Sequence, residues 1–257
     1  MRILAIGDIF GTAAQRKLRE TLSDFKRENK IDLCIVNGEN ADGASGCEAD
    51  SIRGIFGAGA DVVTGGNHSL RYQSMKDMLD SNDSALRPAN FAPQAHGFGY
   101  TIKQAGGVRV LCVNLIGSIG LERLCAVSPF EKLDSILNFE AGNYDMAVVD
   151  FHAEATSEKA ALANAFSDRV SAVWGTHTHV QTADERVIGG RCGFITDIGM
   201  SGPEDGIIGV RTQDVLDLFL TKKTSGFKTA EGEVFIRGAI FEFDEKLNCT
   251  SVERIKY

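Results

Sequence analysis

Asp8, Glu39, Asn40, Asn67, His68, His152, His177 and His179 are oxygen- and nitrogen-bearing side chains, and each follows an apolar run. Asp8 follows LAIG, Glu39 and Asn40 follow LCIVNG, Asn67 and His68 follow DVVTGG, His152 follows MAVVDF, and His177 and His179 follow VSAVWGT. Taken singly, such a residue caps a helix or closes a turn as readily as it does chemistry. Taken together, they put polar groups at five separate strand ends, four of the five histidines among them, where loops of an open α/β sheet converge on a site. Imidazole nitrogen mixed with Asp, Glu and Asn oxygen suits Fe, Mn or Zn, whereas Ca and Mg ordinarily take oxygen alone. In an extended loop, His177 and His179, two residues apart, would point the same way and reach a shared centre.

The elements that must position these groups alternate. Arg2 to Ile6 reads as a strand and about Ala13 to Glu28 as a helix. DLCIVN, SIRGIFGAG, ADVVTG and YQSMKDMLDS then read as strand, helix, strand and helix, a βαβ rhythm that predicts a largely parallel sheet. After Arg87, GYTIKQ and VRVLCVNLIG flank AGG as a hairpin, and the stretch from Glu122 to Asn143 is helical in its middle. DMAVVDF and VSAVWG are strands around a helix, TSEKAALANAF, that should start at a Thr or Ser cap. RCGFITDIG follows, then a helical TQDVLDLFL, and two long strands, GEVFIRGAIFEF and CTSVERI, close the chain as an antiparallel region. The fold class is α/β, and residues 1–257 read as one domain, with no linker, repeat or low-complexity tract.

Composition narrows the function. A chain with 43% hydrophobic and 24% charged residues has the material for a large core. A net charge of -8 disfavours duplex DNA or a membrane surface as partner, but leaves small anions open where cations gather locally. With no signal-like opening and no apolar run of spanning length, a cytoplasmic location is expected. The six cysteines, Cys34, Cys47, Cys112, Cys125, Cys192 and Cys249, form no CxxC pair and read as buried reduced thiols. His96, in the loop PQAHGFGY, reads as a surface histidine. Glycines beside the polar groups, Gly66 among them, make turns or let ligand loops come close.

GDIFG, NGEN, GGNH, DFHAEATSEK and GTHTHVQTADE occur in that order, with RPANF and ITDIGMSGP between and after them. In these motifs, spread along the whole chain, the sequence resembles the calcineurin-like metallophosphoesterases and, within them, the YmdB-like bacterial family. The wider superfamily opens with Asp-x-His. Here Phe10 takes the third place, a departure the YmdB-like group shares.

The resemblance implies an α-β-β-α sandwich with mixed sheets and a metal site at the carboxyl ends of strands. It implies one metal on Asp8, Glu39, Asn40 and His179 and a second on Glu39, Asn67, His152 and His177, with Glu39 bridging. Fe or Mn as divalent or trivalent ions, 2',3'-cyclic nucleotides as small phosphodiester substrates, and a homo-oligomer are implied in the same way.

On this reading a metal-bridging hydroxide attacks phosphorus in line between two metals roughly 3.5 to 4 Å apart, and His68 donates a proton to the departing ribose oxygen. GNHSLRY departs locally from many relatives, so Arg71 either helps hold a phosphate or is simply solvated. Two other readings compete. A regulatory scaffold binding RNA or protein would keep metals as structure, and a metal-dependent amidohydrolase would place its His-x-His pair after the first strand rather than at His177.

Overall fold

The computed structural model describes residues 1–124, 126–223 and 226–257. The amino-terminal part runs β1 (Arg2–Ile6), β2 (Asp8–Ile9), α1 (Gly11–Glu28), β3 (Leu33–Asn37), α2 (Ala49–Ala58), β4 (Val62–Thr64), α3 (Gln73–Ser81) and β5 (Ala85–Leu86). The middle runs β6 (Tyr100–Ala105), β7 (Val108–Ile116), α4 (Pro129–Phe139), β8 (Met146–His152), α5 (Thr156–Ala165), β9 (Ala172–Thr176), β10 (Arg186–Ile188) and β11 (Cys192–Ile195). Last come β12 (Met200–Pro203), α6 (Thr212–Thr221), β13 (Val234–Phe235), β14 (Arg237–Phe243) and β15 (Cys249–Lys256).

Two six-stranded mixed sheets result, ordered β15-β14-β1-β3-β4-β5 and β10-β11-β9-β8-β7-β6. β1, β3, β4 and β5 are parallel, as the βαβ rhythm predicts, and β14 closes antiparallel on β1. In the second sheet β7, β8, β9 and β11 are parallel, and the expected hairpin β6–β7 is antiparallel.

The period-two alternation of each strand sorts its side chains into layers. Ile3, Ala5 and Ile35 turn inward to meet Cys112, Val148 and Trp174 between the sheets. Leu4, Ile6 and Val36 turn outward under Leu18, Leu22, Ile52 and Ile55 of α1 and α2. On the other side Leu111, Val149 and Phe151 lie under Leu133 of α4 and Leu162 of α5. Sheet on sheet with helices outside is the α-β-β-α sandwich. Each fully buried Leu or Ile adds about 1.5–3 kcal/mol to its cohesion.

Two local expectations need correction. GEVFIRGAIFEF is not one strand: Val234 and Phe235 pair with Pro203 and Gly202 in a small sheet β13-β12-β2, and only from Arg237 does the chain join β1 and β15. Helix α5 starts from Ala155, with no side-chain cap. α4, by contrast, is capped by Ser128, whose Oγ accepts from Glu131 N at 3.4 Å. Five cysteines are free and buried as expected, and Cys125 lies outside the described residues. His96 is exposed, with Nδ1 2.7 Å from Asp80 Oδ2. No helix among the described residues is long and apolar enough to cross a membrane.

Candidate metal centre

The parallel strands of both sheets bring their carboxyl ends to one edge, and the polar groups collect there. Asp8 sits in β2 just past β1, Glu39 and Asn40 past β3, and Asn67 and His68 past β4. His152 is the last residue of β8, and His177 follows β9. All eight groups named from the sequence therefore lie at strand ends, and six of them form two clusters, with Glu39 and His68 beside them.

In the first cluster His179 Nε2 is 3.2 Å from Asn40 Oδ1 and 4.0 Å from Asp8 Oδ1. In the second His152 Nε2 is 3.0 Å from Asn67 Oδ1 and 3.1 Å from His177 Nδ1. Two donor atoms about 2.1 Å from one ion and at right angles would stand about 3.0 Å apart, so the spacings of 3.0 to 3.2 Å match ligands of a common metal. Among the described residues no three His, Cys, Asp or Glu side chains close on a metal by themselves. An asparagine oxygen completes each cluster.

The proton on each imidazole decides what these contacts are. His152 Nδ1 is 3.0 Å from Thr176 Oγ1, which in turn donates to Asp150 Oδ1 at 2.8 Å, so Nδ1 carries the proton and Nε2 presents a lone pair. His177 Nε2 faces Glu154 Oε2 at 3.2 Å, and His179 Nδ1 faces the Ile208 carbonyl at 2.9 Å. Their inward nitrogens are likewise lone pairs.

The amides are oriented too: Asn40 Nδ2 donates to Gly43 O at 3.3 Å, and Asn67 Nδ2 points to His68 Nε2 at 3.1 Å, so both Oδ1 atoms turn inward. Each cluster is thus a convergence of acceptors with no hydrogen between them. Asp8 Oδ1 belongs to this set, buried and without a hydrogen-bond partner. Convergent lone pairs repel unless a cation lies among them, and the donor set fits a transition metal. An outward nitrogen tied to an acceptor is also how metal-ligating histidines are held.

Burial tunes the same groups. It holds the His152 imidazole well below the ordinary value and lowers His177 and His179 as well, so all three stay neutral and can ligate. The 3.8 Å approach of His152 Nδ1 to Asp8 Oδ1 is therefore no ion pair. Burial, then the nearby Asp197 and Asp150, raises Asp8 well above the usual carboxylate range. A neighbouring cation would reverse that.

Glu39 turns its two oxygens to the backbone amides of Gly66 and His68, and the His68 Nδ1 lies 3.3 Å from Glu39 Oε1 without the alignment of a hydrogen bond. Gly66 is required at its place, because a Cβ there would come within 2.3 Å of the His152 ring. Phe10 packs edge-on against His179, ring centres 5.5 Å apart.

The loop carrying the two histidines is not extended. His177 and His179 both have left-handed backbone, φ 98° and 67°, and so their rings enter different clusters instead of one shared centre. Asp197 holds this costly turn: its Oδ2 accepts from Thr178 N at 3.2 Å and Thr178 Oγ1 at 2.8 Å, and from the buried Lys159 Nζ at 2.8 Å.

A family model of YmdB-like proteins matches residues 4–255. The chain belongs to this family. A relative from Bacillus subtilis (strain 168), a 2',3'-cyclic-nucleotide 2'-phosphodiesterase, is 38% identical over 99% of this chain and 96% of its own. The crystal structure of a novel phosphatase from Mycoplasma pneumoniae superposes with a TM-score of 0.92 at 28% identity, covering 100% of this chain and 93% of that one. A 5'-nucleotidase precursor from Thermus thermophilus, at 12% identity, a TM-score of 0.59 and coverage of 100% of this chain and 54% of that one, shares the fold.

Sequence reading missed the residues that hold this YmdB-like centre in place. Asp150, fully buried in β8, accepts from Thr64 Oγ1, Thr176 Oγ1 and, at 3.1 Å, Asn37 Nδ2, which ties β3 to β8 across the two sheets. Burial raises its carboxyl to about 6, against the pull of these donors. The available signal was a carboxylate inside the apolar run MAVVDFH, two residues from His152 and so on the same face.

Proposed function

We propose that the chain is a metal-dependent phosphodiesterase acting on small phosphodiesters, 2',3'-cyclic nucleotides foremost. One metal would be held by Asp8, Asn40 and His179, a second by Asn67, His152 and His177, with Glu39 between them. The observation that carries this reading is the pair of acceptor clusters, each with its imidazoles oriented from behind. Nitrogen and oxygen donors without sulfur suit Fe or Mn. When bound, such ions polarise the phosphoryl oxygens and supply an attacking water at neutral pH.

The chain's own groups would do the rest. A cavity of about 480 Å³ opens over the clusters, lined on one side by Asn40, His68, His177 and His179 and on the other by Ile208, Val215 and Phe219. The polar side would seat the phosphate, and the apolar side would shelter a base and exclude water from the reacting ester. His68 is on the polar side. The Asn67 amide Nδ2 lies 3.1 Å from the His68 Nε2, and this ring would protonate the departing ribose oxygen. The 2',3'-cyclic-nucleotide activity of the Bacillus subtilis relative supports the substrate class.

The test is hydrolysis of bis(p-nitrophenyl) phosphate and 2',3'-cAMP in added manganese by wild type and Glu39→Gln. Metal-dependent turnover that the substitution abolishes is expected. No turnover by metal-loaded wild type would instead favour a scaffold.

A further inference from the structure

A second cavity, of about 450 Å³, adjoins the first and shares Asn67 and His68 with it; Leu70, Arg71, Phe91, Ala92, Ala95 and Leu124 complete its wall. The wall is built rather than incidental. The buried Arg87 guanidinium donates from Nη1 to Pro88 O at 2.7 Å and reaches the His96 and Ala95 carbonyls at 3.4 and 3.5 Å, gathering residues 88–96 into one bend. Asn90, fully buried, anchors the same bend, donating to Ile116 O at 2.8 Å and Val127 O at 2.9 Å and accepting from Ile116 N at 2.9 Å. The RPANF motif thus holds Phe91 in the wall of the cavity that His68 also lines. Arg71 is the one arginine or lysine on the wall of either cavity among the described residues.

A cyclic nucleotide has both ester oxygens on one ribose and so carries a single nucleoside, which one cavity accommodates. Two cavities meeting at His68 match an ester with a substituent on each side of phosphorus. We propose that the protein also cleaves acyclic phosphodiesters bearing two nucleosides, dinucleoside phosphates being the simplest, with one nucleoside in each cavity. The inference rests on the phosphodiesterase reading and extends its substrate class.

In the reaction, water adds its oxygen to phosphorus and the P–O bond to one ribose breaks. That ribose oxygen takes a proton, and the products are a nucleoside monophosphate and a nucleoside. A base in the second cavity would stack on Phe91, which any base can do, so selectivity among bases should be slight.

The test compares kcat/KM for adenylyl-(3'→5')-adenosine and for 2',3'-cAMP in wild type, Phe91→Ala and Ala92→Trp, with manganese present. Ala92 is exposed, so its replacement fills the cavity mouth without loading the core. Wild type should cleave both substrates, and each variant should lower the dinucleotide-to-cyclic ratio roughly tenfold, the loss expected for one base–aromatic stack. Cleavage of 2',3'-cAMP without the dinucleotide, or a ratio unchanged in both variants, overturns the inference and leaves the phosphodiesterase reading standing. Failure on both substrates and on bis(p-nitrophenyl) phosphate removes that reading, and the inference with it.

Discussion

His152 Nε2 and His177 Nδ1 face each other across 3.1 Å with no proton between them, because each ring has its hydrogen committed on the opposite nitrogen. For His152 that commitment is made by Thr176, whose hydroxyl donates to Asp150 and can therefore only accept from the imidazole. Thr176→Val removes the acceptor and frees the ring to take the wrong tautomer. Metal affinity, measured by competition with a chelating dye, should fall about 10- to 100-fold, and Thr176→Ser should restore it. Equal affinity in all three proteins would show that the hydroxyl does not set the tautomer.

Replacement of His68 separates chemistry from metal holding. His68→Ala should keep its full metal content while kcat for 2',3'-cAMP drops about 10²- to 10⁴-fold, the range for one general acid. A smaller loss for bis(p-nitrophenyl) phosphate is expected as well, since nitrophenolate leaves without needing a proton. Metal analysis beside steady-state kinetics checks both.

The buried Lys159–Asp197 pair carries the turn that aims His177 and His179. Lys159→Met leaves a carboxylate buried without its cation, at a cost of about 3–5 kcal/mol. Thermal unfolding should shift down by roughly 10 °C, given about 2–4 °C per kcal/mol for a chain of this size. An unchanged midpoint would mean that the pair adds nothing to the fold.

Burial pushes the thiols of Cys34, Cys112 and Cys192 up to about 12 and Cys249 to about 11. A raised folded-state value keeps them protonated, so native protein at pH 8 should resist alkylation at these four positions and react at all of them in denaturant. The sign for stability follows: the protonated thiols are favoured in the fold, and that contribution is lost as pH climbs above the ordinary thiol value near 9 toward the folded value. Peptide mapping after iodoacetamide and unfolding midpoints between pH 8 and 11 give the two readouts.

Much of this was legible in sequence because burial leaves a one-dimensional trace. LCIVN and MAVVDF are apolar runs on both faces, as strands between two layers must be, and the polar residues just beyond them lie at one sheet edge. What escaped depends on three-dimensional closure. The break at Ile236 arises because Phe235 and Arg237 find partners in different sheets, and nothing in GEVFIRGAIFEF marks it. The left-handed backbone of His177 and His179 is imposed by Asp197, some twenty residues away, and no local pattern predicts it. Asp150 was visible as an odd carboxylate, but its bearing on His152 runs through Thr176 on a different strand.

Bound metal per chain tests the central claim most directly. Protein equilibrated with manganese, desalted and assayed by inductively coupled plasma mass spectrometry should carry two equivalents, and close to one in Asn67→Leu, which takes a donor from the His152–His177 cluster alone. No bound metal in wild type, or one equivalent unchanged by the substitution, would contradict a two-metal centre.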